Sequence, residues 1–304
     1  MPRSRPSSPW LGNYIGRPAG AGQLPQLDMF PANRHRGDMR TICAGLCLLV
    51  LASCGESQRR RELPFHGVTA GEVEWPVLHR LALEADAAAL RREIERGADV
   101  DQAGPFGLRP LHLAGAAEVA RLLLAAGARV EVEDDLRLQP LHLARDAAVG
   151  RLLVEAGAGL EARNLYGWTP LHCAVIRGDA ALVDWLLQRG AEVSARSRNG
   201  MTPLHWAALR GEPEVARLLL AHGASPAARN RYQMTPLHEA ASADLVRLLL
   251  AAGAAVDARE ENGMTALHLA RNEQVARALI DAGASLEVRD RYGRTPMQMA
   301  QPTH

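Results

Sequence analysis

The chain has 304 residues, of which 47% are hydrophobic, 23% are charged and only 4% are aromatic. This composition predicts a chain that folds, and it excludes a large aromatic-rich core, so leucine, alanine and valine must supply the buried surface. The formal net charge of +1 gives no electrostatic argument for binding nucleic acid or an acidic partner. All 35 basic residues are arginine, a bias that is typical of GC-rich bacterial genomes.

The N-terminal residues divide into two segments before any repeat begins. Residues 1–38 are rich in Pro, Gly, Ser and Arg without an apolar period, which predicts a disordered extension or a wrongly assigned start, with translation beginning at Met39. Residues 39–53 have a basic start, a short apolar run and a small-residue exit, in the order that a secretory signal peptide requires. The apolar run of residues 41–52 is well short of the roughly 20 residues that span a bilayer.

The exit of this segment has a more specific likeness. Leu51-Ala52-Ser53-Cys54 resembles the lipobox of bacterial lipoproteins. The resemblance implies that Cys54 is lipidated, that the residues before it are removed, and that two or three acyl chains anchor the protein stably. Because Gly55 and not aspartate follows the cysteine, the resemblance implies an outer-membrane lipoprotein facing the periplasm. Residues 54–72 then form a polar tether.

A fixed repeat begins at about residue 73 and continues to the C-terminus. Its marker is Pro-Leu-His or a close variant, followed by an apolar stretch and a Gly-Ala pair. Intervals of 30 or 33 residues separate the marker histidines, which predicts a stack of small helical units. The marker residues are His79, His112, His142, His172, His205, His238 and His268, with Gln298 in the last unit.

Three of these markers also identify the repeat. Residues 169–174, 202–207 and 235–240 read TPLHCA, TPLHWA and TPLHEA, and they resemble the signature of ankyrin repeats. The resemblance implies an all-α repeat solenoid of helix-turn-helix units joined by β-hairpin-like loops. It covers residues 73–304, as about seven units and a partial C-terminal cap. It also implies a protein–protein interaction module rather than an enzyme.

One full unit shows the physical basis of the pattern. Thr169 can cap a helix through its hydroxyl, and Pro170 suits the first helical turn. Residues 183, 186 and 187 are apolar at helical spacing, which predicts a second amphipathic helix. Gly190 suits a helix end that needs positive φ. The units that begin at His112, His142, His238 and His268 are three residues shorter, and we expect their first helix, or the loop after it, to be trimmed.

The recurring histidines raise the question of a metal or catalytic site. They lie one per repeat, whereas metal ligands converge, often three or four residues apart on one helix. Cys173 lies inside a predicted helix without an indicated base, and Cys43, Cys47 and Cys54 lack a fourth ligand. No phosphate-binding loop, G-x-S-x-G or H-E-x-x-H motif occurs. We therefore expect no catalytic residue, metal, cofactor or small-molecule substrate.

The likeness to ankyrin proteins implies that the hairpin tips and the first-helix surface bind a partner protein, most richly near residues 165–234. Aromatic residues and arginine are enriched at binding hot spots. The alternative for Trp168 and the methionines is packing between adjacent loops. The candidate positions are Phe106, Leu165, Tyr166, Trp168, Ile176, Arg177, Arg198, Met201, Leu209, Arg210, Arg231, Tyr232 and Met234.

Together these features predict a monomeric, lipid-anchored periplasmic protein that binds an unidentified protein and no nucleic acid. It would act as a scaffold or stabiliser, or as an immunity-type inhibitor of a toxin. One alternative is a cytosolic or secreted adaptor or effector that retains residues 1–53. The other is an enzyme built on repeats.

Overall fold

The computed structural model describes residues 75–300. The predicted extension, signal peptide, lipid anchor at Cys54 and tether all lie outside these residues. The described residues fall into two compact parts, residues 75–198 and residues 199–300, which we call the N-terminal part and the C-terminal part. Helices and loops make up both, and no strand occurs among the described residues. The predicted all-α repeat fold is confirmed.

The full repeats contain two α-helices each, whereas the shortened repeats contain one. Those of the N-terminal part are α1 (Val77–Glu84), α2 (Ala87–Glu95), α3 (Ala117–Ala125), α4 (Ala147–Glu155), α5 (Pro170–Arg177) and α6 (Ala180–Gln188). Those of the C-terminal part are α7 (Pro203–Arg210), α8 (Pro213–Ala221), α9 (Ala243–Ala251), α10 (Glu273–Asp281) and α11 (Pro296–Ala300). Among residues 75–300 the helices are at most nine residues long, and none could cross a bilayer as an apolar span.

The second helix of every described repeat has the same length. Helices α2, α3, α4, α6, α8, α9 and α10 each contain nine residues. Five of them begin at an Asp, Ser or Asn whose side chain accepts the N–H three residues later, as Asp179 does from Leu182. Such a cap contributes about 1 kcal/mol, so these residues fix where the second helix starts.

The first helix has two lengths, as the repeat intervals predict. In the full repeats it is an eight-residue α-helix, as in α1, α5 and α7. In the shortened repeats it is a four-residue 3₁₀ turn, Pro110–Leu113, Pro140–Leu143 or Pro236–Glu239, and residues 266–269 form only a turn. The expected trimming is confirmed, and it falls within the first helix.

A shortened repeat attaches directly to the full helix before it. The N–H of Gly115 donates to the carbonyl of Ala82 in α1 at 2.9 Å, and that of Ala241 donates to Ala208 in α7 at 3.1 Å. Each bond goes to a carbonyl in the last turn of the full helix, which also accepts the N–H of the helix cap at 3.4 Å. The missing turn is thus compensated by a backbone bond between neighbours.

The core lies between the helices of adjacent repeats. Leu171 in α5 and Leu182 and Leu186 in α6 are at most 1% exposed. Burying each such leucine contributes about 2 kcal/mol. The caps predicted at Thr169, Pro170 and Gly190 are confirmed: the Thr169 hydroxyl accepts the N–H of His172, Pro170 is the first residue of α5, and Gly190 follows α6 with φ 90°.

The loops between repeats end in tight tips that are closed by backbone hydrogen bonds. In every case the N–H of the first tip residue donates to the carbonyl of the fifth, at 2.7–3.1 Å. The tips are residues 104–108, 134–138 and 164–168 in the N-terminal part and residues 230–234, 260–264 and 290–294 in the C-terminal part. Residues 197–201 are the corresponding stretch of sequence between them. The tips are hairpin-like, as predicted, although no strand flanks them.

Backbone bonds also join successive tips. In the N-terminal part, Asp135 donates to Phe106, Leu165 to Leu136, and Arg198 to Tyr166. In the C-terminal part, Arg231 donates to Asn199, Glu261 to Tyr232, and Arg291 to Asn262. These six bonds span 2.8–3.1 Å. Each tip is therefore held in register with the next by its own main chain.

Two glycines in this arrangement provide a matched test. Gly200 and Gly293 have nearly equal φ of 74° and 76°, but a Cβ on Gly200 would lie 3.0 Å from the Arg231 nitrogen, whereas Gly293 has nothing within 4 Å. We expect Gly293→Ala to lower the free energy of unfolding by about 1 kcal/mol, through backbone strain alone.

Gly200→Ala should lower the free energy of unfolding by at least about 1 kcal/mol more than Gly293→Ala does, because the added methyl group pushes on the next tip. Urea denaturation of both variants measures the difference. Equal losses would show that the tips are not packed as closely as the distances indicate.

Candidate partner-binding surface

The recurring histidines are structural links between repeats. Nε2 lies 2.9–3.2 Å from a carbonyl of the next tip in His79, His112, His142, His205, His238 and His268. In His205, for example, Nδ1 accepts the N–H of Thr202, so its proton is on Nε2, which donates to Met234. The ring is therefore neutral and engaged at both nitrogens.

Burial holds these rings in the neutral form. Desolvation lowers the pKa of His112, His142 and His238 to about 4, although their backbone hydrogen bonds oppose this. No group of three potential metal ligands comes together within residues 75–300. Burial also raises the pKa of the Cys173 thiol to about 12, which leaves it a protonated core group and not a nucleophile.

The predicted surface residues of the N-terminal part lie at or beside the tips. Phe106, Leu165 and Tyr166 are half-buried, and Arg198 is exposed. The rings of Tyr166 and Trp168 lie 5.2 Å apart at 39°, so the tryptophan supports the tyrosine from within. The backbone bond from Arg198 to Tyr166 brings their two tips together.

The C-terminal part presents a second group of predicted residues. Arg210 at the end of α7 and Arg231 are exposed, while Leu209 and Tyr232 are half-buried. Tyr292 occupies the position of Tyr232 two tips later, and 67% of its surface is exposed. The side chains that can meet a partner are thus mainly arginine and tyrosine.

Four predicted contact residues are buried instead. Trp168, Ile176, Met201 and Met234 are each only 5–8% exposed. Trp168 and Met234 are fifth tip residues, whose carbonyls close the tip while their side chains pack inward. For these three loop residues, Trp168 and the two methionines, packing is the correct interpretation, and Ile176 belongs to the core face of α5.

Arg177 also has a different role from the one predicted. Its guanidinium is part-buried and donates to the carbonyls of His142 at 2.9 Å and Ala144 at 2.7 Å. These carbonyls belong to the shortened repeat before it, where no further helical turn supplies donors. Arg177 therefore replaces the missing turn and is not available to a partner.

Arg177→Ala should lower the free energy of unfolding by about 2 kcal/mol, because two buried carbonyls lose charge-assisted hydrogen bonds. Arg210 ends α7 as Arg177 ends α5, but it is exposed. Arg210→Ala should therefore change stability by less than about 0.5 kcal/mol. Chemical denaturation of both variants tests this, and equal effects would contradict the capping role.

The sequence interpretation missed an arginine ladder beside the tips. In the N-terminal part, Arg163 donates to Gly167 and to the carbonyl of Arg196. In the C-terminal part, Arg229 donates to Gln233 and to the carbonyl of Arg259, and Arg259 donates in turn to Arg289. The signal was present in the sequence, because each of these arginines lies nine residues before a marker position.

Comparison with known proteins agrees with this architecture. The family model of ankyrin repeats, in three copies, matches residues 115–197, 194–259 and 237–302. Together the matches extend over more than half of the chain. This chain belongs to the ankyrin-repeat family. It is an all-α repeat protein of a kind that serves as a protein–protein interaction module.

Among solved structures, the chain is similar to the ankyrin-repeat domain of Bcl-3, which is described as a unique member of the IkappaB protein family. The two are 32% identical in sequence, with a TM-score of 0.55. The similarity covers 67% of this ankyrin-repeat chain and 98% of the Bcl-3 domain. A search of the curated proteins finds no significant match.

Proposed function

We propose that this protein is a lipid-anchored ankyrin-repeat protein that binds another protein through its tips and catalyses no reaction. The proposal rests on which polar side chains bond within the repeats and which are exposed. Histidine and threonine side chains form hydrogen bonds within and between repeats, whereas Arg198, Arg231 and Tyr292 lie exposed on the tips. Arginine and tyrosine are the residue types that dominate binding hot spots.

The backbone of the tips supports the same proposal. Each tip is closed by its own hydrogen bond and joined by another to its neighbour. A surface that is ordered before binding loses little conformational entropy when a partner docks, so more of the contact energy appears as affinity. The neutral histidines, hydrogen-bonded at both ring nitrogens, and the buried Cys173 favour a binding protein over an enzyme.

The lipid anchor is supported by sequence alone. The order of basic start, apolar run and Leu51-Ala52-Ser53-Cys54 favours export and acylation at Cys54. An outer-membrane anchor facing the periplasm would restrict the protein to partners at that membrane. Two roles fit this placement: a scaffold or stabiliser of an envelope enzyme, and an immunity-type inhibitor of a toxin.

The binding surface can be tested by crosslinked capture in cells that express the wild type or a double variant. Because the chain contains no lysine, the crosslinker should be photoactivated rather than amine-reactive. We expect Tyr166→Ala/Arg198→Ala to lose the captured partner. Arg151→Ala, at an exposed position of α4, is the control that should retain it. An unchanged partner set in the double variant would refute this surface.

The anchor has a separate test. Mass spectrometry of the mature N-terminus should find Cys54 carrying acyl chains, and Cys54→Ser should abolish the acylation. An intact residue 1 in the soluble fraction would refute the anchor and favour a cytosolic adaptor. An unacylated chain in the medium would favour a secreted effector.

A further inference from the structure

The net charge of +1 hides an uneven distribution of charge over the C-terminal part. Three stretches, residues 229–234, 259–264 and 289–294, contain six arginines and three acidic residues. All six arginines are exposed, whereas Glu260 and Asp290 are buried, with at most 7% of their surface exposed. Of the acidic residues only Glu261 is exposed. The arginines are Arg229, Arg231, Arg259, Arg289, Arg291 and Arg294.

The buried acids are consumed by their own tips. Glu260 accepts the N–H groups of Asn262 and Met264, and Asp290 accepts those of Tyr292 and Arg294. Asp290 also pairs with the Arg294 guanidinium at 2.8 Å. These carboxylates brace the backbone, so they face the tip interior and only partly offset the outward positive charge.

The arginines are held in place by the main chain. The Arg259 guanidinium donates an N–H to the carbonyl of Arg289, and the Arg289 guanidinium donates one to the carbonyl of Gly293 at 2.7 Å. A guanidinium has five N–H donors in a planar fork, so donors remain for a ligand. The Arg231 guanidinium has no hydrogen bond or ion pair to any residue of the range 75–300.

An exposed aromatic ring lies within this charge. Guanidiniums of Arg291 and Arg294 lie 5.8 Å and 5.0 Å from the ring centroid of Tyr292. Arg291 also donates to the side chain of Asn262 at 3.1 Å, which fixes it against the preceding tip. The last tip thus presents an ordered cluster of one ring and two cations.

The repeat sets the spacing of these groups. Helices α9 and α10 pack against each other, and packed helices lie about 8–10 Å apart. An extended chain advances at most about 3.3–3.6 Å per residue. Corresponding arginines on successive tips are therefore matched by about every third residue of an extended peptide.

We propose that this surface binds an extended acidic segment of the partner protein, with a carboxylate at about every third residue. Planar guanidiniums suit carboxylates because they can donate two parallel hydrogen bonds. Exposed Glu261 occupies, on the middle tip, the position that Arg231 and Arg291 hold on the tips before and after it. A peptide can place a neutral residue there, whereas a nucleic acid would place another phosphate. The inference rests on the proposed function, since it names the chemistry of the partner.

The test uses the full chain and a fluorescein-labelled nonapeptide of serine and threonine with glutamate at every third position. Fluorescence anisotropy should give a dissociation constant at least about tenfold lower than that for an isomer with its glutamates adjacent. Arg259→Gln/Arg289→Gln, at the same position of two successive tips, should weaken binding of the spaced peptide about tenfold or more. Added salt should weaken it as well.

The control variant removes the same charge elsewhere in the same repeats. Arg247 and Arg277 lie on α9 and α10, with side chains 66% and 53% exposed. Arg247→Gln/Arg277→Gln should leave the dissociation constant unchanged within about twofold. Circular dichroism establishes that both double variants keep their helices.

Three results would overturn the inference: no binding of the spaced peptide, equal binding of its isomer, or equal loss in the control variant. Tighter binding of a single-stranded oligonucleotide or of anionic phospholipid vesicles would assign the surface to another ligand class. Tyr166 and Arg198 belong to the N-terminal part. Failure here therefore leaves the capture test of the proposed function standing.

Discussion

Replacing His205 with alanine is expected to lower the free energy of unfolding by about 2–4 kcal/mol. The side chain is fully buried, it donates to Met234 at 3.0 Å, and its Nδ1 lies 2.9 Å from the Thr202 hydroxyl. Alanine leaves a cavity and removes the ring partners of the Thr202 N–H and the Met234 carbonyl. Denaturant unfolding followed by circular dichroism measures the loss.

The chain itself supplies the conservative substitution. Gln298 occupies the marker position of the last repeat, and its side-chain oxygen accepts the N–H of Thr295 at 2.9 Å. His205→Gln should therefore recover part of the stability that His205→Ala loses. His222→Ala is the surface control, since His222 is exposed on the C-terminal side of α8. If His205→Ala were as stable as His222→Ala, the linking role of the histidine would be wrong.

Mild acid is expected to destabilise the fold strongly. The pKa of His112, His142 and His238 is lowered from 6.5 to about 4, chiefly by burial, and the pKa of His79 and of His268 is lowered too. Between those values the unfolded chain binds protons that the folded chain does not, so stability falls as the pH drops from about 6.5 towards 4. Each histidine contributes at most about 1.4 kcal/mol per pH unit.

Two buried acids act in the opposite direction. Burial raises the pKa of Asp134 from 3.8 to about 6, and it raises that of Glu239 despite the nearby Arg271. A raised carboxyl pKa means that the folded state binds the extra proton, which stabilises the fold as the pH falls through that range. Near pH 5 we expect a net loss of about 2–3 kcal/mol per pH unit, because the histidines outnumber these acids.

The dependence is checked by urea midpoints at a series of pH values from 7.5 to about 4.5, at constant ionic strength. His142→Gln removes one titrating ring and should reduce the slope by about 1.4 kcal/mol per pH unit. Midpoints that stay level across this range would contradict the neutral, buried state of the histidines.

The fold could be predicted because the same capping, turn and core residues recur from repeat to repeat. The Thr-Pro-Leu-His marker combines a cap, a first-turn proline and a buried side chain, and its intervals showed which units are three residues short. The shortening was predicted to the helix or its loop, and the structure places it in the helix. The form it takes, a 3₁₀ turn in three repeats and a simple turn in the fourth, depends on contacts between repeats that a sequence does not show.

The binding surface was harder to predict because a tip reverses direction within five residues. Tyr166 and Trp168 are two residues apart, yet one is half-buried and the other is packed inside. Residue type gave no basis for separating them, since both are aromatic. Arg177 and Arg210 likewise occupy equivalent positions, and only the shortened repeat before Arg177 explains why it is used internally.

The single variable turn of the first helix bears on how such a chain can change over time. Marker, tip and second helix keep their lengths in both kinds of described repeat, so the two kinds differ in length only within the first helix. The carbonyls that a deletion of this turn exposes can be taken up by a neighbour, as Arg177 takes up those of His142 and Ala144. We therefore expect that a full unit can lose this turn and remain folded where a neighbouring repeat supplies donors to its carbonyls.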